Sequence, residues 1–321
     1  VDVYAAGGFF LVSGVKTSPL EVNVNPDAPD GTFNILSSDT VINSRISGGR
    51  IKGFLEGSER YLDTDTRLNT LAAALIKGVN SAHRAGYGLD GSTGNDLFTP
   101  HSVWARPDSS NAGGAVISNG AVTDLSLLTL DPYEIRFSSP TNYDVFNTST
   151  NQAVASGSYM SGSAITFDGL SVIITDDTGA PSGGDVFTVD PVKNAAQYIG
   201  VQLTDADKIA AAASLSTLPG DNSNALILAG LKDAASIDSK TFGEYYRGIV
   251  IDIGTAANSA SINYDAHRKI AEELQNARDS LSGVSIEEEA INLIKLQRAF
   301  EAAAKVMTTV DKMYETLLNM R

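Results

Sequence analysis

The 321-residue chain contains no cysteine. Disulfide frameworks, zinc–thiolate sites and thiol catalysis are therefore excluded. Three histidines, His83, His101 and His267, leave little material for a histidine-based metal or acid–base centre. No apolar run approaches the ~18 residues of a membrane span. Basic residues are scarce, 23 against 38 acids, and a net charge of −15 argues against nucleic acid, because phosphate binding needs a basic surface. Hydrophobic residues make up 42% and charged residues 19%, which is enough apolar material for packed cores. At this length two or three domains are expected.

The charge is unevenly placed. Residues 1–86 hold 9 acids and 8 bases, residues 87–240 hold 17 and 6, and residues 241–321 hold 12 and 9. The acidic middle reads as an outward, solvated domain, and the near-neutral ends as parts that pack against protein.

The segment up to residue 47 reads as strands. Val1–Tyr4 and Phe9–Val12 flank a Gly-containing connection, and Leu20–Val24 alternates with period two opposite Thr32–Leu36, across a Pro/Asp/Gly stretch at 25–31. The chain opens in a strand, without an initiator Met or a signal peptide, as if a longer protein preceded it. Residues 50–84 then step by three and four through Ile51, Leu55, Leu62, Leu68, Ala72, Leu75 and Val79, an amphipathic helix stopped by Gly86 and Gly88. Residues 99–203 carry short strands at 134–137, 143–146, 164–167, 170–174 and 185–189. Asp168-Gly169 between two of them marks a tight hairpin, because both residues tolerate positive φ. From 205 the pattern returns to helix, with an Ala-rich stretch at 205–215 and a short piece at 224–231.

Thr241-Phe-Gly-Glu244 has capping-box spacing. Behind it apolar residues step without a slip from Phe242 to Leu281, with Asn263 and His267 inside the seam, and Gly283 marks the end. Ser285-Ile-Glu-Glu288 is a second capping box, and Leu293, Leu296, Phe300, Ala303, Met307, Val310, Tyr314 and Leu317 form the next stripe. These are coiled-coil registers. The two helices would be roughly 60 Å and 50 Å long at ~1.5 Å per residue. The last stripe is an assembly surface if no upstream helix covers it, and a core-facing stripe otherwise. Asn263 and His267 either select register or mark a solvated kink.

Other features have bland readings. Asp90, Asn95 and Asp96 sit in a Gly-rich loop, but their spacing misses the EF-hand pattern and its terminal Glu. His101 and Trp104 read as packing residues, and Gly183-Gly184 lacks a phosphate-loop fingerprint. No nucleophile elbow is present. No catalytic, cofactor or metal residues are assigned, and the chain is read as a non-enzyme.

The last eighty residues resemble the C-terminal end of bacterial flagellar axial proteins. Ser282-Gly-Val-Ser-Ile-Glu-Glu-Glu-Ala290, Asn292-Leu-Ile-Lys-Leu-Gln-Arg-Ala-Phe-Glu-Ala-Ala-Ala-Lys-Val-Met307 and Thr308–Met320 carry the resemblance. The Gln-Arg-Ala-Phe element is shared with hook and rod proteins, and the preceding Ser-Gly-Val-Ser favours the hook-associated junction family. Ile46–Leu55, Asn80–Gly91, Tyr143–Pro191 and Pro219–Ala225 are similar to further stretches of that family. The resemblance implies an α+β, elongated, multi-domain subunit. Its parts would be a small β region (1–47), a helix of the inner domain (48–98), an inserted outer β domain (99–203) and C-terminal helices (204–321). It implies an extracellular adaptor between hook and filament, exported by the flagellar type III route. The implied partners are its own copies in a helical ring, the hook protein, a second junction protein and an export chaperone on the last helix. The family's N-terminal helix has no counterpart in this sequence. Rival readings are another axial protein, such as the hook protein or the second junction protein, and an adhesin carried on the outer β domain.

Overall fold

The computed structural model describes residues 2–5, 8–24, 33–100, 102–282 and 286–319. The chain divides into two compact units, residues 1–251 and 252–321. The expected turn at 25–31, the strand start at Thr32, His101, the helix stop at Gly283 and the cap at Ser285 lie outside the described residues.

The first unit begins with two small antiparallel sheets. Strands β1 (Asp2–Ala5), β2 (Phe9–Ser13) and β3 (Lys16–Thr17) form one, and β4 (Leu20–Val24), β5 (Phe33–Ser37) and β6 (Thr40–Val41) form the other. Val22 pairs with Ile35, so both point to the same side, and Ile35, Ile42 and Ile46 pack against Leu55. Leu55 lies on helix α1 (Gly49–Ala85).

The middle of the chain is a two-sheet β domain. Sheet one has the order β11-β10-β9-β14-β7 and sheet two β12-β13-β8, with every pairing antiparallel. The strands are β7 (Trp104–Pro107), β8 (Ala115–Val122), β9 (Tyr133–Ser139), β10 (Asn142–Asn147), β11 (Gln152–Ser158), β12 (Ala164–Phe167), β13 (Leu170–Asp176) and β14 (Val186–Asp190). Alternate residues of β9 (Tyr133, Ile135, Phe137), β13 (Leu170, Val172, Ile174) and β14 (Phe187, Val189) turn inward and form one core. Phe137 meets Tyr159 and Phe187 edge-on, at centroid distances of 5.2 and 5.6 Å.

The Asp168-Gly169 hairpin forms as expected, with φ of 41° and 77° joining β12 to β13. Asp168 also accepts a hydrogen bond from the Tyr133 hydroxyl at 2.9 Å, and the same hydroxyl contacts Thr129. Burial, reinforced by Asp176, pushes the Tyr159 phenol up to about 12. Strands β7, β8 and β11 are not among the expected ones; the Ala, Ser, Gly and Asn residues of β8 and β11 carry little apolar alternation.

Between the β domain and the last helices come the single turn α2 (Ala195–Tyr198) and the short helix α3 (Ser223–Gly230). The Ala-rich stretch 205–215 is not the expected helix, and only a 3-10 turn at Ala206–Lys208 forms there. Its backbone donors go to distant partners instead of the i−4 carbonyl: Ala210 N–H to His83, Ala212 N–H to the Tyr87 carbonyl and Ala213 N–H to Asp221. Tertiary contacts override alanine's helix propensity.

Helix α4 (Phe242–Ser282) starts in the first unit and continues into the second, and α5 (Ile286–Leu318) follows. The capping box at 241–244 is formed. Thr241 N–H donates to Glu244 at 2.9 Å, and Glu244 N–H donates to the Thr241 hydroxyl oxygen at 3.2 Å. Tyr245 and Ile249 of α4 pack on Ala74 of α1.

The β-domain core predicts that Phe187→Ala destabilises the first unit by about 3–5 kcal/mol, because it opens a cavity among close-packed aromatics. A urea titration followed by near-ultraviolet circular dichroism measures the loss, and a shift under about 1 kcal/mol would show the core to be looser than described.

Candidate assembly surface

The second unit behaves differently from the first. Every described residue of α5 is exposed, and so are the α4 residues from 257 to 280. The predicted stripe, Leu293, Leu296, Phe300, Ala303, Met307, Val310, Tyr314 and Leu317, lies on one continuous helix, with Phe300 78% exposed. The helical step of 3.6 residues brings these eight side chains to one face. Val306, Met313 and Leu318 are exposed beside them, so the apolar face widens toward the end of the helix, while Ile291 and Ile294 are exposed on the opposite side. Glu287, Glu288 and Glu289 occupy the first turn, where negative charge suits the helix dipole. Asn263 and His267 sit on the α4 face that also carries Ile253, Ile270 and Leu274, and all five are exposed.

A second constellation was not foreseen as a set. The expected stripe of α1 gives only Ala72 as fully buried; Ile51 is exposed and the other five are half-buried. The buried face is instead Asn69, Ala72, Ala73, Ile76, Asn80 and His83, with Ala74 beside it. Ala72 and Ala73 pack on Val192 and Ala195, while Asn69, Asn80 and His83 meet backbone, which requires polar partners. Asn80, 1% exposed, accepts from Leu97 and Phe98 N–H at 3.1 and 2.9 Å and donates to the Phe98 carbonyl at 2.9 Å. His83, 0% exposed, accepts from Ala210 N–H at Nε2 (3.0 Å). Its Nδ1 therefore carries the proton and donates to the Asn95 carbonyl at 2.7 Å. Asn224 of α3 donates to the carbonyls of Ala82 (3.1 Å) and Ala210 (2.6 Å). Gly86 leaves room for it, since a Cβ there would lie 2.2 Å from the Asn224 amide nitrogen. The sequence signal was the Asn80–Gly91 stretch, which periodicity treated only as a helix end.

The remaining polar features are structural. Asp90 accepts from Ser92 N–H at 2.9 Å, Asn95 donates to the Ser92 hydroxyl at 2.9 Å, and Asp96 is clamped by Arg84 at 2.6 and 2.7 Å. Trp104 is half-buried with Lys193 Nζ 4.5 Å from its ring centroid. Buried Asp185 accepts from Ala112, Gly113 and Ser182 N–H groups. Among the described residues no three His, Asp or Glu side chains gather as a metal-binding group, and no helix is long and apolar enough to cross a membrane. A cleft of about 520 Å³ beside α1 is lined by Lys77, Asp131 and Asp238. Lys77 donates to the Leu128 carbonyl and Asp131 accepts from Asn147. The Thr241 N–H and hydroxyl hold the Glu244 carboxyl below the usual range. That cap therefore stabilises α4 above the ordinary Glu range and weakens as pH falls through the lowered folded value.

Comparison with known proteins places this architecture beside flagellar structural proteins. Residues 1–98 match the model of the flagellar hook-associated protein FlgK helical domain, and residues 107–191 that of the flagellar hook-associated protein 1 D2-like domain. Residues 276–320 match the C-terminal model of flagellar basal body rod FlgEFG proteins. All three matched models describe flagellar axial proteins, the class this chain is similar to.

Within it, the similarity to flagellar hook-associated protein 1 runs the length of the chain. It is 28% identical to that protein of Escherichia coli K12 over 328 residues, spanning all of this chain and 59% of the relative. It is also 28% identical to that of Salmonella typhimurium, over 98% of this chain and 59% of the relative. The chain thus spans about three-fifths of the length of these relatives. The hook junction protein FlgK of Burkholderia pseudomallei shares the fold, with a TM-score of 0.62 and 17% identity over 88% of this chain and 73% of that one. The resemblance drawn from the sequence motifs is borne out.

The buried polar set and the exposed seam residues should respond differently to truncation. Asn80→Ala orphans two N–H groups and one carbonyl, each worth about 1–3 kcal/mol, and should lower the urea midpoint of the first unit sharply. Asn263→Ala on exposed α4 should stay within about 0.5 kcal/mol of the parent. Equal shifts for the two variants would contradict this assignment.

Proposed function

We propose that the chain is a structural adaptor at the junction of flagellar hook and filament, assembled by helical self-association. The observation that carries this is the uncovered apolar face of α5, joined to whole-length similarity to hook-associated protein 1. Large side chains left in water forgo about 1.5–3 kcal/mol each, so a face of this size favours burial against neighbours. The eight-residue stripe from Leu293 to Leu317 is the assembly seam in this reading, in a coiled-coil arrangement. Before assembly the same stripe is held by an export chaperone. Asn263 and His267 would select register once the α4 face is covered.

The proposed division follows chemistry. Residues 1–47, 48–98 and 204–321 build the inner part that contacts neighbours, and 99–203 is an inserted lobe that carries acidic surface outward. Partners would be further copies of the chain, hook protein on one side and the second junction protein on the other. The location would be extracellular, reached by type III export. Joining a bending hook to a stiffer filament needs graded packing surfaces and no chemical step.

Two experiments test the reading. Deleting the gene should leave normal hooks that shed unpolymerised flagellin, and wild-type motility with loss of a surface-binding activity would overturn it. Phe300→Asp should abolish filament growth while leaving the melting of the β domain unchanged. Normal filaments from that variant would remove α5 from the account.

A further inference from the structure

The sequence holds four methionines, Met160, Met307, Met313 and Met320, and the last three crowd the end of the chain. Met320 lies outside the described residues. Methionine ordinarily fills gaps in cores. Here Met160, Met307 and Met313 are 70%, 69% and 61% exposed, so none of the three fills one. Met307 lies in the middle of the α5 stripe, with Phe300 and Tyr314 two turns away on either side. A helical side chain leans over the turn that precedes it, and at Met307 that turn offers only Ala303 and Ala304. Their methyl groups leave the thioether open to solvent. Met313 stands beside the stripe, over Thr309 and Val310. The Thr309 hydroxyl is turned back to the Lys305 carbonyl at 2.7 Å and gives the sulfur no cover.

Open thioethers have a defined chemistry. With no cysteine in the chain, they are the side chains that a peroxide oxidises most readily. The sulfur lone pair attacks one oxygen of hydrogen peroxide, so that an S–O bond forms as the O–O bond breaks. The proton on the transferred oxygen passes to the departing hydroxide, which leaves as water. Sulfur is oxidised by two electrons and peroxide is reduced by two. The sulfoxide is polar and chiral, and its oxygen asks for a hydrogen-bond donor when buried. Phe300, Ala303 and Val310, the stripe residues next to Met307, have none to give.

We infer that Met307 and Met313 form an oxidation site within the apolar face of α5, with a peroxide as the modifying reagent. Oxidation of the free subunit blocks association through α5, and association shields the thioethers from oxidation. The oxidised and the assembled states therefore exclude each other. The inference deepens the self-assembly reading and rests on it for its consequence. Met160 is the internal reference, equally exposed but carried on the β domain, and association through α5 leaves it open.

The whole chain is treated with hydrogen peroxide, peptide mass spectrometry follows the added oxygen at each methionine, and sedimentation velocity reads association. In monomeric chain Met307 and Met313 should oxidise about as fast as Met160, and in associated chain about tenfold more slowly than Met160. The oxidised chain should need about tenfold higher concentration to associate, and methionine sulfoxide reductases acting on both epimers should restore it. Met307→Leu combined with Met313→Leu keeps the apolar volume and should associate equally before and after peroxide. Met160→Leu should lose association on oxidation as the parent does. Undiminished association of chain fully oxidised at Met307 and Met313 would overturn the site, and so would an equal loss in the double leucine variant. Untreated chain that stays monomeric would instead overturn the self-assembly reading.

Discussion

An apolar stripe on a long helix must be covered by something. In the first unit of this chain the β domain covers its apolar faces locally. The two sheets of the β domain close on each other through Tyr133, Ile135, Phe137, Phe187 and their neighbours, and α1 buries its second half against returning chain. In the second unit, α4 residues 257–280 and all of described α5 stay exposed. The difference follows from length. A sandwich satisfies its inner faces within about 85 residues, whereas a 33-residue helix needs a partner of similar length along its whole face. Residues 1–251 thus hold the packed cores, and residues 252–321 present an apolar face that nothing described covers.

The joint between α1 and the chain that returns past it is made of polar groups. Asn80, His83 and Asn224 are buried and each bonds to backbone. Apolar side chains there would have left Leu97, Phe98 and Ala210 N–H groups without partners, at about 1–3 kcal/mol each. Directional bonds also fix geometry more tightly than apolar packing does.

Much of this was legible in the sequence, for identifiable reasons. The short strands read at 134–137, 143–146, 164–167, 170–174 and 185–189 marked β9, β10, β12, β13 and β14, and Asp168-Gly169 marked the hairpin between β12 and β13. Unbroken three- and four-residue steps marked α4 and α5, and the Thr241–Glu244 box marked the start of α4. What failed to show was decided by tertiary contacts. β8 and β11 are built from Ala, Ser, Asn and Gly and are strands because neighbours pair with them. The Ala-rich stretch 205–215 has helix propensity and forms a loop because His83 and Tyr87 claim its backbone. The buried face of α1 hid behind its asparagines, which a hydrophobic pattern counts as surface. The apolar stripe of α5 was legible residue by residue; whether anything in the chain covers it was not, since periodicity reports a face and not its partner.

The central claim is that folding of the single chain leaves α5 unsatisfied and that assembly satisfies it. Hydrogen exchange read amide by amide, on the monomeric chain and on assembled filaments, tests this most directly. The account predicts strong protection of β9 and β13 in both samples, with α5 amides exchanging rapidly in the monomer and slowing by orders of magnitude on assembly. Protection of α5 in the monomer equal to that of β13 would contradict it.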